Sequence, residues 1–196
     1  MENNSHNALP LKGNWHLGWA LDYHTTPNNA PDNKNSDYRR TQIGELLYLI
    51  KYQSDYSRLN ELVEIAAGFI KARGLYLCLD AIVPVPPSNL DRYFQPVYEL
   101  ALQLGKTLTI KVFPELIEKT KDTSELKNIE SRVQRKNELS GAFKIESPLL
   151  KNKSVLLLDD LFRSGETLME ITRVLYGQGE VKKVYVLTVT KTRSKR

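Results

Sequence analysis

The chain has 196 residues, of which 41% are hydrophobic and 26% charged, and its formal net charge is +5. These values are typical of a soluble globular protein with one compact domain, and they exclude disordered and fibrous chains. No apolar run reaches the roughly 18–20 residues that a membrane-spanning helix needs, and residues 1–10 lack the features of a secretory signal. We therefore expect a cytoplasmic protein with no membrane partner.

The excess positive charge lies at the end of the chain, in a basic tail made of Lys191, Arg193, Lys195 and Arg196. The rest of the chain is close to neutral. A short basic tail is typical of a solvated chain end, although it can also attract phosphate backbones in a salt-dependent way. The single cysteine, Cys78, has no partner for a disulfide within the chain, and the apolar stretch around it predicts a core position.

Residues 1–40 are predicted to form an N-terminal extension. Residues 15–23 mix aromatic and apolar side chains, which indicates a strand or a buried hairpin arm. Residues 25–38 are rich in Asn, Pro and Asp, and they predict a surface loop. His16 and His24 lie in this region without a third metal ligand, so we interpret them as packing or surface residues.

Two helices are predicted between residues 41 and 74. Apolar residues recur at helical spacing over residues 43–50, with Thr41 as a candidate N-cap. The same periodicity resumes over residues 59–70 and stops at Gly74, a residue typical of helix C-termini.

From residue 80 onward, apolar runs alternate with amphipathic stretches. Helices are predicted at residues 96–104, ending at Gly105, and at residues 165–176. Strands are predicted at residues 80–87, 108–113, 141–145, 154–158 and 183–190. This alternation predicts an α/β domain over residues 41–196, with a mainly parallel central sheet flanked by helices.

A long, strongly charged stretch at residues 115–140 has no sustained apolar face. A loop of this length inside a compact domain is usually functional or disordered.

The segment at residues 155–167, VLLLDDLFRSGET, carries the chemistry. Its apolar strand delivers Asp159 and Asp160 to the strand's carboxyl end, where open α/β sheets bind ligands. The hydroxyls of Ser164 and Thr167 and a row of backbone N–H groups then open a helix, which suits a phosphate, and Gly165 permits close approach. Paired carboxylates fit sugar hydroxyls or hydrated Mg²⁺. The alternative is a strand that ends in a solvated Asp-Asp turn.

This segment resembles the signature of type I phosphoribosyltransferases, in which an apolar strand, two acidic residues and a Thr/Ser-Gly-x-Thr loop follow one another. The resemblance implies that Asp159 and Asp160 hold the ribose hydroxyls of 5-phosphoribosyl-1-diphosphate or of a ribonucleotide, with Mg²⁺ bound mainly indirectly. It also implies that the 5′-phosphate lies on a loop made of Arg163, Ser164, Gly165, Glu166 and Thr167. A P-loop ATPase is excluded because Leu100 stands where that motif requires glycine.

Two further segments resemble the ComF-like, competence-associated branch of this family. A Pro-Val-Pro loop followed by an Arg-x-Phe-Gln-type element implies diphosphate contacts from Val85, Pro86, Pro87, Ser88 and Arg92. A loop that leads to a Gly-Ala-Phe strand implies that Lys127 and Arg135 act in catalysis by stabilising the leaving group. Ordinary turns and a solvated charged face remain the alternatives for both segments.

The chain departs from the ComF-like pattern in several places. Tyr93 stands where the family commonly has glycine, and the four-cysteine zinc module has no counterpart. Arg163 stands where purine-salvage relatives carry an aspartate that acts as a base, which argues against purine salvage by that route.

Three functions follow as hypotheses. The first is a phosphoribosyltransferase that releases diphosphate and uses an acceptor that the sequence does not specify. The second is a ComF-like accessory protein for DNA uptake that binds single-stranded DNA. The third is a nucleotide-sensing regulator without turnover. The resemblance further implies a homodimer.

Overall fold

The computed structural model describes residues 8–27, 39–87, 93–121 and 139–193. Its strands are β1 Leu9–Pro10, β2 Leu17–Tyr23, β3 Ala81–Pro84, β4 Lys111–Val112, β5 Glu118–Lys119, β6 Phe143–Lys144, β7 Ser154–Phe162 and β8 Lys183–Lys191. Its α-helices are α1 Gln42–Tyr52, α2 Leu59–Ala72, α3 Pro96–Leu108 and α4 Glu166–Gly177. None of the helices within these ranges is long and apolar enough to cross a membrane.

Six strands form the central sheet in the order β1-β2-β8-β7-β3-β4. Among the pairings of the described residues in this sheet, only β1–β2 is antiparallel. β2, β3, β7 and β8 therefore end at the same side of the sheet, which we call the carboxyl edge; the opposite side is the amino edge. The predicted α/β architecture with a mainly parallel sheet is confirmed.

Helices cover both faces of this sheet. Alternate residues of β7 and β8, such as Leu156 and Leu158, pack against α1, α2 and α3. The intervening residues, such as Val155 and Leu157, pack against α4 and the segment around β6. Because β7 is covered on both faces, its first five residues read as an almost continuous apolar run.

The start of the chain contributes to the same core. β2 pairs in parallel with β8 from Leu17 opposite Tyr185 to Tyr23 opposite Lys191. The N-terminal extension predicted for residues 1–40 therefore adds β1 and β2 to the sheet formed by the later strands, and the domain boundary predicted at residue 40 stays a prediction.

The two early helices begin and end as the sequence indicates. The Thr41 hydroxyl accepts a hydrogen bond from the Gly44 N–H at 3.0 Å, which caps α1. α2 ends at Ala72, and Gly74 follows with φ of +65°, in the left-handed region.

Other boundaries differ from the predictions because tertiary contacts decide them. α3 continues through Gly105 to Leu108, and a Cβ on Gly105 would lie 2.3 Å from Val112 Cγ2. That glycine is thus a point of close approach between α3 and β4 instead of a helix stop. β6 pairs with β5 in a separate two-stranded sheet, so the strand predicted at residues 141–145 is not part of the central sheet.

The predicted core position of Cys78 is wrong. Leu75 is buried, but the 3-10 turn Leu75–Leu77 directs the chain outward and leaves Cys78 exposed. The periodicity of a short turn cannot be read from its apolar composition.

Candidate active site at the carboxyl edge

Asp159 and Asp160 lie within β7 and not beyond its end, because Leu161 and Phe162 still pair with Thr190 and Lys191 of β8. Successive side chains of a strand point to opposite faces. Asp159 therefore continues the row that faces α4, and Asp160 continues the row that faces α1, α2 and α3. The two carboxylates flank the end of the strand and do not lie side by side on one face.

Asp160 forms an ion pair that the sequence analysis did not identify. Its Oδ2 binds the Nζ of Lys51, in the last turn of α1. The two side chains are only 16% and 21% exposed. Asp160 also borders an apolar crevice between the three helices, lined by Leu47, Ile50, Leu59, Leu62, Pro96, Val97, Leu100 and Val189.

Asp159 lies in an environment that opposes its negative charge. Burial, followed by the negative charge of Asp160, raises the pKa of Asp159 to about 7. A hydrogen bond from the Asp160 N–H to Asp159 Oδ1, at 2.8 Å, and the charge of Lys51 oppose this shift. Near neutral pH the carboxyl is close to half ionised, and a bound cation would favour its ionised form.

The loop after β7 leads directly into α4. Arg163 is exposed, Ser164 and Thr167 are half-buried, and Gly165 adopts φ of +86° immediately before Glu166. The N-cap residue of α4 is Gly165, which has no side chain to cap the helix, and the first internal hydrogen bond runs from the Met169 N–H to the Gly165 carbonyl. The amides of this first turn can therefore bind an anion.

Glu166 is only 6% exposed, so little of this residue is accessible to a ligand. The predicted phosphate contacts of Arg163, Ser164, Gly165, Glu166 and Thr167 stay predictions.

Gly165 is required for packing as well as for backbone conformation. A Cβ there would lie 2.7 Å from Cε2 of Phe162 and 3.7 Å from Cη2 of Trp15. The Trp15 and Phe162 rings meet edge to face at 6.4 Å between centroids. The loop thus lies directly over an aromatic pair, one member of which belongs to the segment before β2.

The predicted diphosphate loop begins beside Asp159. The Val85 N–H donates to the Leu158 carbonyl at 2.8 Å, and Val85 and Pro86 are buried while Pro87 is half-buried. The structure brings this loop and the acidic pair to the same edge. Ser88, Arg92, Lys127 and Arg135 lie outside the described residues, so their predicted roles stay predictions.

His24 and several cations also lie at the carboxyl edge. His24 Nδ1 is 3.3 Å from Thr190 Oγ1, which donates to the Asp160 carbonyl at 3.4 Å. Burial lowers the pKa of His24, and the charges of Arg40, Lys51 and Arg163 lower it further while Asp160 opposes them. Within the described ranges, no three His, Cys, Asp or Glu side chains form a metal-binding cluster.

The start of the basic tail packs against this edge. Lys191 Nζ lies 5.5 Å from the Phe162 ring centroid, and the Arg193 guanidinium lies 3.8 Å from that of Tyr23. Arg193 Nε also donates to the Thr25 carbonyl at 2.8 Å. The predicted contacts with single-stranded DNA and with a second copy of the chain stay predictions.

No protein-family model matches the sequence, and no curated protein matches it significantly. Several solved structures resemble it. An adenine phosphoribosyltransferase aligns over 72% of this chain and 74% of its own at 12% identity, with a TM-score of 0.44. A hypothetical protein from Neisseria gonorrhoeae with bound ppGpp aligns over 72% of this chain and 71% of its own at 14% identity, with a TM-score of 0.41.

The adenine phosphoribosyltransferase of Saccharomyces cerevisiae, complexed with an imino-altritol bisphosphate and adenine, aligns over 84% of this chain and 82% of its own. Its identity is 12% and its TM-score 0.43. At TM-scores below 0.5, these likenesses say nothing about the chemistry of this chain.

Proposed function

We propose that this chain is a phosphoribosyltransferase-type protein that binds 5-phosphoribosyl-1-diphosphate at the carboxyl edge and transfers its phosphoribosyl group to an acceptor, releasing diphosphate. One observation carries the proposal: two carboxylates flank the end of a central parallel strand, and a helix with glycine at its N-cap begins six residues after Asp160. A sugar with an anionic ester is the ligand class that needs both. The resemblance of residues 155–167 to the family signature supports the same ligand.

The two carboxylates fit a Mg²⁺ ion that binds together with the ligand. Burial and the charge of Asp160 disfavour the ionised form of Asp159, so this carboxyl would gain from a nearby cation or from hydroxyl donors. Mg²⁺ is usually held by one or two carboxylates together with water and substrate phosphates. Asp159 and Asp160 would hold it mainly through water or ligand oxygens, and its charge would offset that of the diphosphate.

Each part of the edge has a distinct role in this proposal. The amides and hydroxyls at the start of α4 bind the 5′-phosphate, while Asp159 and Asp160 orient the ribose hydroxyls. The loop from Val85 to Pro87 faces the diphosphate. The protein then accelerates transfer by holding the sugar in place and by stabilising the departing charge.

In the transfer itself, the bond between C1 of the ribose and the diphosphate oxygen breaks, and the oxygen keeps the electron pair. A lone pair of the acceptor forms the new bond to C1 from the opposite side. No covalent intermediate with the protein is needed. Within the family, we propose the ComF-like branch, on the Pro-Val-Pro and Gly-Ala-Phe segments.

Ligand-dependent thermal stabilisation tests this function. At a ligand concentration of about 100 times Kd, binding adds roughly 2.7 kcal/mol, which raises the Tm of a chain this size by roughly 5–10 °C. We expect that rise with 5-phosphoribosyl-1-diphosphate and Mg²⁺, and we expect Asp160→Asn to abolish it. Glu146→Gln, which removes one negative charge at a side chain 63% exposed, is the matched control and should keep the rise.

A diphosphate-release screen against candidate acceptors then separates turnover from binding alone. If the wild-type protein shows no change in Tm at millimolar ligand with Mg²⁺, the proposed function is wrong.

A further inference from the structure

Lys51 is placed at the candidate site by a rigid element. Thr41 caps α1 at its start, and Ile43, Leu47 and Ile50 bury one face of the helix in the core. Lys51 follows Ile50 at the border of this apolar face, in the last turn of the helix. Because the helix is docked on the sheet, the lysine reaches the carboxyl edge without any rearrangement of the backbone.

The ion pair between Lys51 and Asp160 competes with the function proposed for Asp160. A carboxylate that binds ribose hydroxyls or lies near Mg²⁺ offers less negative charge to an ammonium group. The pair is four-fifths buried, so water compensates poorly for the lost contact. When ligand binds, the Lys51 ammonium therefore needs a new anionic partner close by.

The other described anion that interacts with Lys51 is Asp159, and burial opposes the negative charge of that carboxyl. Arg40, Lys51 and Arg163 all act on His24 as positive charges, and Asp160 is the negative charge that opposes them there. Glu45 lies nearby but is bound to Arg40 at 3.2 Å. This part of the edge is thus rich in cations, and a ligand anion would complete it.

The position of Lys51 across the sheet indicates which anion it meets. α4, whose start suits the 5′-phosphate, covers one face of the sheet, and α1 covers the other. If the 5′-phosphate binds at α4 as proposed, a phosphoribosyl ligand that crosses the end of β7 places its opposite end between the Val85–Pro87 loop and the α1 face. That opposite end carries the diphosphate.

On these grounds, and resting on the proposed function, we infer that Lys51 is a diphosphate-binding residue: it neutralises Asp160 in the free protein and contacts a diphosphate oxygen when ligand is bound. It exchanges one carboxylate partner for a phosphate partner, with no covalent step. This role differs from that of a residue that only orients Asp160. A diphosphate-binding lysine predicts that its removal weakens binding of the diphosphate part of the ligand and not of the sugar part.

Binding of two fragments separates these roles. Inorganic diphosphate with Mg²⁺ carries the leaving group alone, and ribose 5-phosphate carries the sugar and the 5′-ester alone. We expect Lys51→Met to weaken diphosphate binding roughly ten- to a hundredfold, the range for a lost charge-assisted hydrogen bond. Ribose 5-phosphate binding should stay within about threefold of wild type, with both affinities measured by titration calorimetry.

Two further variants separate the loss of the Lys51 charge from a folding defect. Lys51→Gln keeps an N–H donor for Asp160 but removes the charge, and we expect the same selective loss from it even if Lys51→Met folds poorly. Lys71→Met is the matched control, because Lys71 lies in the last turn of α2 and is exposed. Thermal melts establish that each variant is folded.

The outcomes are distinct. Equal weakening of both fragments would show that Lys51 acts only through Asp160, and unchanged diphosphate binding would show no contact; either result overturns this inference and leaves the proposed function standing. If the wild-type protein binds neither fragment, the proposed function and this inference both fail.

Discussion

An aspartate–lysine ion pair lies at each end of β7. The pair at the amino edge is exposed to solvent, whereas the pair at the carboxyl edge is largely buried. At the amino edge, Asp80 accepts a hydrogen bond from the Ser154 N–H at 2.8 Å and pairs with Lys153 at 3.2 Å, with side chains 40% and 51% exposed. At the carboxyl edge, Asp160 pairs with Lys51, with side chains 16% and 21% exposed, and the half-buried Asp159 precedes it in β7.

The difference between the two edges appears in their pKa values. The Ser154 N–H, more than Lys153, lowers the pKa of Asp80, whereas burial raises that of Asp159. At the amino edge, these contacts compensate the charge of Asp80 and hold the start of β7 in place. At the carboxyl edge, burial disfavours the ionised form of Asp159. Such a destabilised charge is typical of a ligand-binding site.

The largest effect is expected at Gly165. Gly165→Ala places an alanine in a left-handed backbone conformation and a Cβ only 2.7 Å from the Phe162 ring. Backbone strain and steric clash together lower the unfolding free energy by roughly 2–6 kcal/mol. Urea unfolding measures this loss. Gly68→Ala is the control, because a Cβ there meets nothing within 4 Å and should stabilise α2 by about 0.5–1 kcal/mol. If Gly165→Ala does not lower the unfolding free energy, then Gly165 is no more constrained than the exposed control position Gly68.

The next effect separates the two edges by pH. A folded-state pKa of about 7 for Asp159 lies above its ordinary value, so its contribution to stability is present below about pH 4 and is lost as the pH rises to about 7. Asp159→Asn lacks this titration. Its unfolding free energy, minus that of wild type, should therefore rise by roughly 2–4 kcal/mol between pH 4 and pH 8 and stay level above.

Urea unfolding of both proteins at several pH values measures this difference, and groups shared by the two proteins cancel. A difference that does not change with pH would mean that Asp159 is an ordinary solvated carboxylate.

The smallest effect is expected at Asp80 and has the opposite sign. Because the pKa of Asp80 is lowered, its contribution is present above its ordinary value and is lost as the pH falls. Asp80→Asn should cost about 1 kcal/mol at pH 7, the range for an exposed charge-assisted contact, and less at pH 3. Chemical unfolding at both pH values measures the loss. Fragment binding should be unchanged in this variant, and a loss of binding would remove the distinction between the edges.

Much of the fold was predictable because it is encoded locally. The Thr41 cap and the apolar spacing of α1 and α2 are properties of single segments, and both predictions are confirmed. The alternation of strands and helices likewise predicted a parallel sheet. The role of Gly105 is not predictable from the local pattern, because it is set by Val112 across a helix–strand contact.

The candidate site divides in the same way. Asp159, Asp160 and the start of α4 are neighbours in sequence, so their proximity was predictable. The partners that complete the edge are distant, since Lys51 lies 109 residues from Asp160 and His24 lies 166 residues from Thr190. A lysine bordering an apolar helix face is the available signal for Lys51, but the acid it meets depends on how α1 docks.

The pairing of β2 with β8 also bears on how the chain is made. A ribosome releases residues 17–23 long before the strand beside which they lie, and Trp15 likewise emerges long before Phe162, against which its ring packs. Pairings this far apart in sequence close late and slowly. During translation, the Trp15 indole is therefore open to a chaperone that binds apolar segments until Phe162 has been made.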